Sequence, residues 1–238
     1  GVQTCALPIY KKNMKTKAFL LAGILLAVGV ASSSAQVYSV NAVGYVSVTL
    51  APGEFKIICN PLNVVTNGVQ NNTLDAILPS APNNVTKIYR FDPVTQSFPL
   101  TTHIHTKRST GWSPTGSTTT INPGEGFFVQ NTATTNITLT FVGEVPQGNG
   151  LNINLAPGFQ LLAAHIPVAG LAQTDLKLPA INGDILYVYR GGAYTTYTRR
   201  TASWASPGEP SINVAEGFYF KSITSTNRTW VNSFTTSI

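Results

Sequence analysis

Four phrases of this sequence occur twice and in the same order, and the spacing between the copies shortens along the chain. They are "LAPGEFKII" (50–58) and "LAPGFQLLA" (155–163), "LPSAPNNVTKIYR" (78–90) and "LPAINGDILYVYR" (178–190), "GWSP" (111–114) and "SWASP" (203–207), and "INPGEGFFVQ" (121–130) and "INVAEGFYFK" (212–221). Ordered repetition of this kind indicates a tandem duplication. We expect two related units, 50–145 and 151–238, joined by a linker at 146–150.

Each unit consists of short runs of β-branched and aromatic residues. Turn signals such as "PSAPNN", "NPGEG" and "PQGNG" separate these runs. Charged residues make up 10% of the chain, against about 25% in average domains, and no segment after residue 36 keeps the period of an amphipathic helix. The sequence predicts an all-β fold, in which two tandem related β-sandwich or barrel-like units follow a long N-terminal strand.

The phrase "INPGEGFFVQ" ends a turn and begins a strand. Pro123-Gly124 form the turn, and Gly126, which has no side chain, lets the backbone bend into the strand. Alternation along the strand places Phe127 and Val129 on one face and Phe128 on the other. We expect one of these two faces to lie in the core of each unit.

The same phrase also has a functional interpretation. Glu125 and its counterpart Glu216 would lie beside exposed aromatic residues and form two equivalent ligand sites. Sugar-binding β-proteins often combine an aromatic platform with a carboxylate or an amide. Trp112 and Trp204, together with Trp230, are the candidates for that platform.

The N-terminal region predicts export. The first nine residues, "GVQTCALPI", resemble the translation of a common sequencing adapter, so we expect residues 1–13 to be foreign to a protein that starts at Met14. Two lysines, the apolar stretch 18–31 and a small-residue cleavage site predict a signal peptide over 14–35. We therefore expect a protein that is secreted or lies at the cell surface of a bacterium.

Residues 36–49 alternate between apolar and more polar positions. The apolar positions are Tyr38, Val40, Ala42, Gly44, Val46 and Val48. This period of two predicts a half-buried strand of unusual length. Two alternatives stay open: the strand pairs within its own molecule, or it adds to a sheet edge of the next molecule, as in the strand donation of exported pilins.

Charge and cysteine content narrow the classes of protein that fit. Four of the 15 basic residues precede residue 36, which leaves eleven scattered basic residues against nine acidic ones. Binding of nucleic acid therefore has no support. Cys59 is the one cysteine after residue 36, and its apolar setting predicts a buried thiol.

The sequence contains no G-x-S-x-G or H-E-x-x-H motif, no Walker-type or EF-hand loop and no C-x-x-C pair. We therefore expect a non-enzymatic protein without a cofactor. The best local metal candidate is "THIHT", in which His103 and His105 project to the same face of a strand and begin a Zn²⁺ or Cu²⁺ site. A third ligand would have to come from elsewhere, and His165 is the candidate.

Three short motifs form a further pattern: Phe159–Leu162, Tyr187–Tyr189 and Pro123–Phe128. In them the chain resembles a repeated segment of many predicted secreted proteins of environmental bacteria, which reads Gly-Phe/Trp-x-Leu-Ile, a Tyr-rich strand, and Pro-Gly-x-Gly before two aromatic residues. The first unit departs from this pattern by an inserted Glu54, and the second has Val214-Ala215 in place of Pro-Gly. The resemblance implies export and β-structure and assigns no activity.

Two classes of function fit the sequence better than an enzyme does. A secreted structural or adhesive surface protein fits the export signal, the low charge and the duplication, and donation of the strand 36–49 would make it the protomer of a fibre. A carbohydrate-binding module is the alternative, because the chain is rich in Trp and Tyr. The expected partner is accordingly another copy of the chain or a polysaccharide.

Overall fold

A computed structural model describes residues 42–235 of the chain, so the predicted leader and the positions Tyr38 and Val40 lie outside the described residues. The fold is all-β, as the sequence predicts. Within the described range, no helix is long and apolar enough to cross a membrane. The strands fall into a first half, residues 43–144, and a second half, residues 148–234.

The first half contains a five-stranded antiparallel sheet and a two-stranded ribbon. Its elements are β1 (Val43–Leu50), β2 (Phe55–Cys59), β3 (Val65–Thr66), β4 (Val69–Gln70), the helical turn α1 (Leu74–Ile77), β5 (Thr86–Tyr89), β6 (Ile104–Arg108), β7 (Gly111–Ser113), β8 (Gly126–Asn131) and β9 (Ile137–Glu144). The sheet has the order β2-β8-β5-β6-β7, and β1 pairs with β9 to form the ribbon.

The second half contains a four-stranded sheet and a ribbon of its own. Its elements are β10 (Gly148–Leu155), β11 (Gly158–Ala163), β12 (Gly170–Leu171), β13 (Ile185–Arg190), β14 (Ala193–Thr198), β15 (Ser211–Ile212), β16 (Gly217–Ser222) and β17 (Arg228–Phe234). The sheet has the order β11-β16-β13-β14, and β10 pairs with β17. Because β10 begins at Gly148, three of the residues expected in the linker 146–150 belong to a strand.

The two halves share one pairing order. The strands β2-β8-β5-β6 of the first sheet correspond to β11-β16-β13-β14 of the second, and each half adds a ribbon made from its first and last strands. That the halves superpose as copies of one unit stays a prediction.

A separate core fills each half, between the sheet and its ribbon. In the first half Leu50 and Phe141 from the ribbon pack in one buried cluster with Phe127 from the sheet. In the second half Trp230 from the ribbon packs with Phe218 from the sheet. Each buried side chain of this size contributes about 1.5–3 kcal/mol, so each core stabilises its own half.

Strand β1 is the described part of the predicted N-terminal strand. All eight of its residues pair in antiparallel register with β9 of the same chain, from Val43 opposite Glu144 to Leu50 opposite Ile137. Its side chains alternate as predicted: the even positions face inward, and Tyr45 at an odd position is 78% exposed. The described residues therefore follow the intramolecular alternative.

The halves contact each other through two reciprocal backbone hydrogen bonds. The Cys59 N–H at the end of β2 donates to the Ala215 carbonyl oxygen at 3.0 Å, and the Ala163 N–H at the end of β11 donates to the Gly124 carbonyl oxygen at 3.0 Å. Both acceptors lie in the turn of the repeated phrase. That phrase is thus a segment by which each half binds the first sheet strand of the other.

The glycine of the phrase allows this close approach. A Cβ atom on Gly126 would lie 2.9 Å from the Leu162 carbonyl oxygen, and one on Gly217 would lie 2.6 Å from Ile57 Cγ2. Real Cβ atoms do not approach other atoms so closely. In both halves the glycine is therefore required by the neighbouring half, in addition to the bend that the sequence predicts.

Candidate ligand-binding surface

The side of each sheet that faces away from its ribbon is aromatic. Tyr89 on β5 lies opposite Phe128 on β8, and Tyr187 on β13 lies opposite Tyr219 on β16. All four side chains are half-buried, whereas Phe127, next to Phe128 in the chain, is fully buried. The predicted division of this strand into a core face and an opposite face is confirmed.

Ten rings from both halves meet on this side, and we call them the aromatic surface. They are Phe55, Tyr89, Phe91, Phe98, Phe128, Phe159, Tyr187, Tyr189, Tyr194 and Tyr219. Contacts with centroid distances of 4.9–6.4 Å connect all of these rings except Phe55 and Tyr89, which contact each other at 5.9 Å. The contact between Phe128 and Tyr189, at 5.6 Å, joins the two halves.

Two open depressions lie in the aromatic surface. The larger has a volume of about 630 Å³ and is lined by Phe91, Gln96, Phe159, Tyr187, Tyr194 and Tyr219. The other, of about 430 Å³, is lined by Phe55, Tyr89, Phe98, Leu100, Ile104, Phe128, Tyr194 and Tyr219. Tyr194, which is 47% exposed, lies at both. Exposed apolar depressions of this size on a folded protein are typical of binding sites.

Polar groups border the rings. Lys221 Nζ lies 5.2 Å from the centre of the Phe159 ring, within the range of a cation–π contact, and the Tyr89 hydroxyl donates to Gln130 Oε1 at 2.7 Å. Burial raises the pKa of Tyr194 and of Tyr219 above the usual tyrosine range. Their hydroxyls therefore stay neutral at physiological pH and can donate hydrogen bonds to a ligand.

The two predicted glutamates hold the turns of the repeated phrase. Glu125 Oε1 accepts hydrogen bonds from the backbone and side-chain N–H groups of Asn122 at 3.3 and 3.2 Å, and Arg90 lies 3.5 Å from its other oxygen. The equivalence predicted from the sequence therefore extends to their local geometry.

Glu216 makes the same contacts more tightly. Its Oε2 accepts from the backbone and side chain of Asn213 at 2.8 and 3.0 Å. The Arg190 guanidinium donates to both carboxylate oxygens at 2.6 Å, and this hydrogen bonding raises the pKa of Arg190. Glu216 is 12% exposed, against 44% for Glu125. Glu125 is consequently the more accessible of the two to a ligand.

Each glutamate lines a cleft between the halves. The first cleft, of about 260 Å³, contains Glu216 and Arg190 and shares Phe55 with the aromatic surface. The second, of about 440 Å³, contains Glu125 and shares Phe91 with the aromatic surface. The two clefts thus adjoin the aromatic surface through different rings.

The second cleft contains buried polar atoms without a partner. Among the described residues, Gln160 Oε1 and His165 Nδ1 make no hydrogen bond, and both residues line this cleft together with Asn152 and Asn154. Burial lowers the pKa of His165, which keeps its ring neutral at physiological pH. An unpaired acceptor and a neutral imidazole suit a ligand that carries hydroxyl groups.

The structure does not place His103 and His105 together on one face of a strand. His105 in β6 is fully buried, with Nδ1 2.7 Å from the Pro114 carbonyl oxygen, and mainly burial lowers its pKa. His103 precedes β6, so strand alternation does not place it beside His105; it lies instead at the second cleft with His165. The described residues contain no group of three His, Cys, Asp or Glu side chains that could hold a metal ion.

The three candidate tryptophans do not belong to the aromatic surface. Trp112 is 4% exposed and donates from Nε1 to the Leu78 carbonyl oxygen at 3.2 Å, and Trp230 is fully buried. Trp204 is half-buried against the second core and donates to Gln173 Oε1 at 3.2 Å. The indoles of Trp112 and Trp230 fill the cores because their strands present them to the covered side of each sheet, and Phe and Tyr occupy the open side.

The apolar positions of β1 are used inside the molecule. Val46 and Val48 pack against a small buried cluster of Cys59, Ala163 and Ala215, at the contact between the halves. Two more of the predicted assembly residues, Ala42 and Gly44, take part in the same arrangement. The Ala42 carbonyl oxygen accepts a hydrogen bond from the Val145 N–H at 2.7 Å, and a Cβ atom on Gly44 would contact Leu62 and Val145 at 3.4 Å.

Cys59 has the buried setting that the sequence predicts. Burial raises the pKa of its thiol to about 12. The thiol therefore stays protonated and unreactive at physiological pH.

Comparison of the chain with protein-family models, with curated proteins and with solved structures gives no match. The resemblance to secreted repeat proteins stays a prediction.

Proposed function

We propose that this chain is a secreted, non-enzymatic adhesive protein that binds a polysaccharide along its aromatic surface. The observation that supports this proposal is the meeting of ten half-exposed or half-buried Phe and Tyr rings on one side of both sheets. A sugar ring presents C–H groups on its faces and hydroxyls at its edge. Aromatic faces bordered by hydroxyls, amides and a carboxylate complement both parts.

The charge of the surface favours a neutral ligand. Burial, which raises the pKa of Tyr194 and of Tyr219, keeps their hydroxyls neutral, and Arg190, at the first cleft, is already paired with Glu216 at 2.6 Å. The whole chain has only 10% charged residues. A strongly acidic or basic polymer would find few unpaired counter-charges here, whereas a neutral glycan needs only stacking and hydrogen bonds.

The length of the surface favours a chain over a single sugar. The two depressions share Tyr194 and Tyr219, and the two clefts adjoin the surface at Phe55 and Phe91. Several sugar units would therefore contact the protein at once. Each weak stacking contact would add to the same binding event.

The test is affinity electrophoresis of the exported protein in gels that contain starch, hydroxyethylcellulose or xylan. We expect retardation in at least one gel, and loss of that retardation in Tyr194→Ala and Phe159→Ala. Tyr45→Ala is the matched control, because Tyr45 is 78% exposed on β1, outside the aromatic surface. Circular dichroism checks that each variant is folded.

Two results would overturn the proposal. One is migration that starch, hydroxyethylcellulose and xylan all leave unchanged. The other is release of reducing sugars from a retained polysaccharide, which would assign the surface to an enzyme.

A further inference from the structure

Strand β14, with the sequence "AYTTYT", forms the outer edge of the four-stranded sheet in the second half. Its first four residues are exposed. Among the described residues, no strand pairs with its outer side between Ala193 and Tyr197. A free strand edge offers a row of backbone N–H and C=O groups to another strand.

The corresponding edge in the first half is covered. There β7 pairs with β6, with Trp112 opposite Lys107 and Ser113 opposite Thr106. In the second half the segment around Trp204 reaches only the end of the sheet, through a single bridge to Arg199. One half thus closes an edge that the other half leaves open.

Backbone geometry shows which groups are free. The hairpin from β13 to β14 turns over two residues, Gly191 and Gly192, which both have positive φ. In such a hairpin the flanking pair, Arg190 and Ala193, exchanges hydrogen bonds. The N–H and C=O groups of Tyr194 and Thr196 therefore point away from β13. The backbone groups of Thr198 point to the same side, and its carbonyl oxygen already accepts a hydrogen bond from the Ala205 N–H at 2.9 Å.

The edge lacks the usual protection against pairing. Natural sheets protect their edges with lysine, proline or a bulge, whereas residues 193–198 contain no charged residue and no proline. The covered strand β6, by contrast, carries Lys107 and Arg108. Threonine and tyrosine also favour extended structure. The edge therefore suits an uncharged strand, and β14 of a second copy is itself such a strand.

We propose that two copies of the protein dimerise by antiparallel pairing of their β14 edges. Opposite residues of an antiparallel pair lie on the same face of the sheet, and Tyr194 and Thr196 share one face while Thr195 lies on the other. The register that keeps both faces aligned and pairs the free groups places Thr195 opposite Thr195 and Tyr194 opposite Thr196.

This dimer closes on itself. The contact uses the same strand in both copies, so its symmetry is twofold and the contact does not propagate into a fibre. It extends each four-stranded sheet into the other and brings the two Tyr194 side chains to the same side of the joined sheet. The dimer does not depend on the ligand of the aromatic surface.

Sedimentation of the exported protein across a hundredfold range of concentration tests the proposal. We expect the protein to dimerise. We expect Thr195→Lys to raise the dissociation constant of the dimer at least tenfold, because like charges would lie directly opposite each other. Thr134→Lys adds the same charge to an exposed turn and should leave the dimer unchanged. A wild-type protein that stays monomeric at the highest concentration overturns the proposal.

Oxidative cross-linking tests the register. Thr195→Cys should form an intermolecular disulfide, because the two residues would be a closely spaced pair without mutual hydrogen bonds. Ala193→Cys should form no such disulfide, because residue 193 would lie opposite Tyr197 of the other copy. A dimer that resists Thr195→Lys, or that fails to cross-link through Thr195→Cys, uses another surface and refutes the pairing of β14.

Discussion

At the scale of residues, Glu125 and Glu216 have the same contacts in different surroundings. Glu216 is 12% exposed and binds Arg190 through both oxygens, whereas Glu125 is 44% exposed and lies 3.5 Å from Arg90. We expect Glu216→Gln to lower the free energy of unfolding by about 1–3 kcal/mol, because it leaves a guanidinium without its charged partner. Glu125→Gln should cost less than about 1 kcal/mol, since water screens the pair. Urea denaturation of both variants measures the difference, and equal losses would contradict it.

At the scale of elements, β1 belongs to the fold of its own chain. It supplies eight paired residues to the ribbon, and Val46 and Val48 pack where the halves meet. Deletion of residues 36–48 should therefore cost more than about 4 kcal/mol or prevent folding, since it removes both backbone pairing and apolar burial. Tyr45→Ser, on the exposed face, is the control and should be near neutral. Circular dichroism and urea denaturation check both variants. A stable, folded deletion variant would contradict this prediction and favour donation of the strand to another molecule.

At the scale of the whole molecule, the contact between the halves depends on the glycines of the repeated phrase. A Cβ atom on Gly126 would lie 2.9 Å from a backbone oxygen, which cannot move without the strand. We expect Gly126→Ala to lower the free energy of unfolding by about 1–3 kcal/mol. Gly44→Ala is the control, because its nearest neighbours are side-chain atoms at 3.4 Å. Thermal unfolding measures both variants, and equal stability would mean that the halves separate easily.

Much of the molecule follows from the sequence alone. Period-two alternation requires only the local geometry of a strand, so it predicts the all-β class, the inward and outward faces of β1, and the placement of Phe127 and Phe128 on opposite faces of β8. Proline, glycine and asparagine mark the turns for an equally local reason. The repeated phrase also identifies Glu125 and Glu216 as a matching pair, because a repeat can be recognised without a structure.

Tertiary structure alone decided which aromatic residues are open to a ligand. Alternation separates two faces but does not say which face a ribbon covers. For this reason the sequence offers Trp112 as part of a ligand platform, whereas the structure places it in the core. The alternate tyrosines of "LYVYR", Tyr187 and Tyr189, are the available signal for the open face. Contacts between residues far apart in the chain, such as Phe128 with Tyr189, depend on how the halves pack. No local pattern in the sequence encodes that packing, because it arises from surfaces that form only after each half has folded.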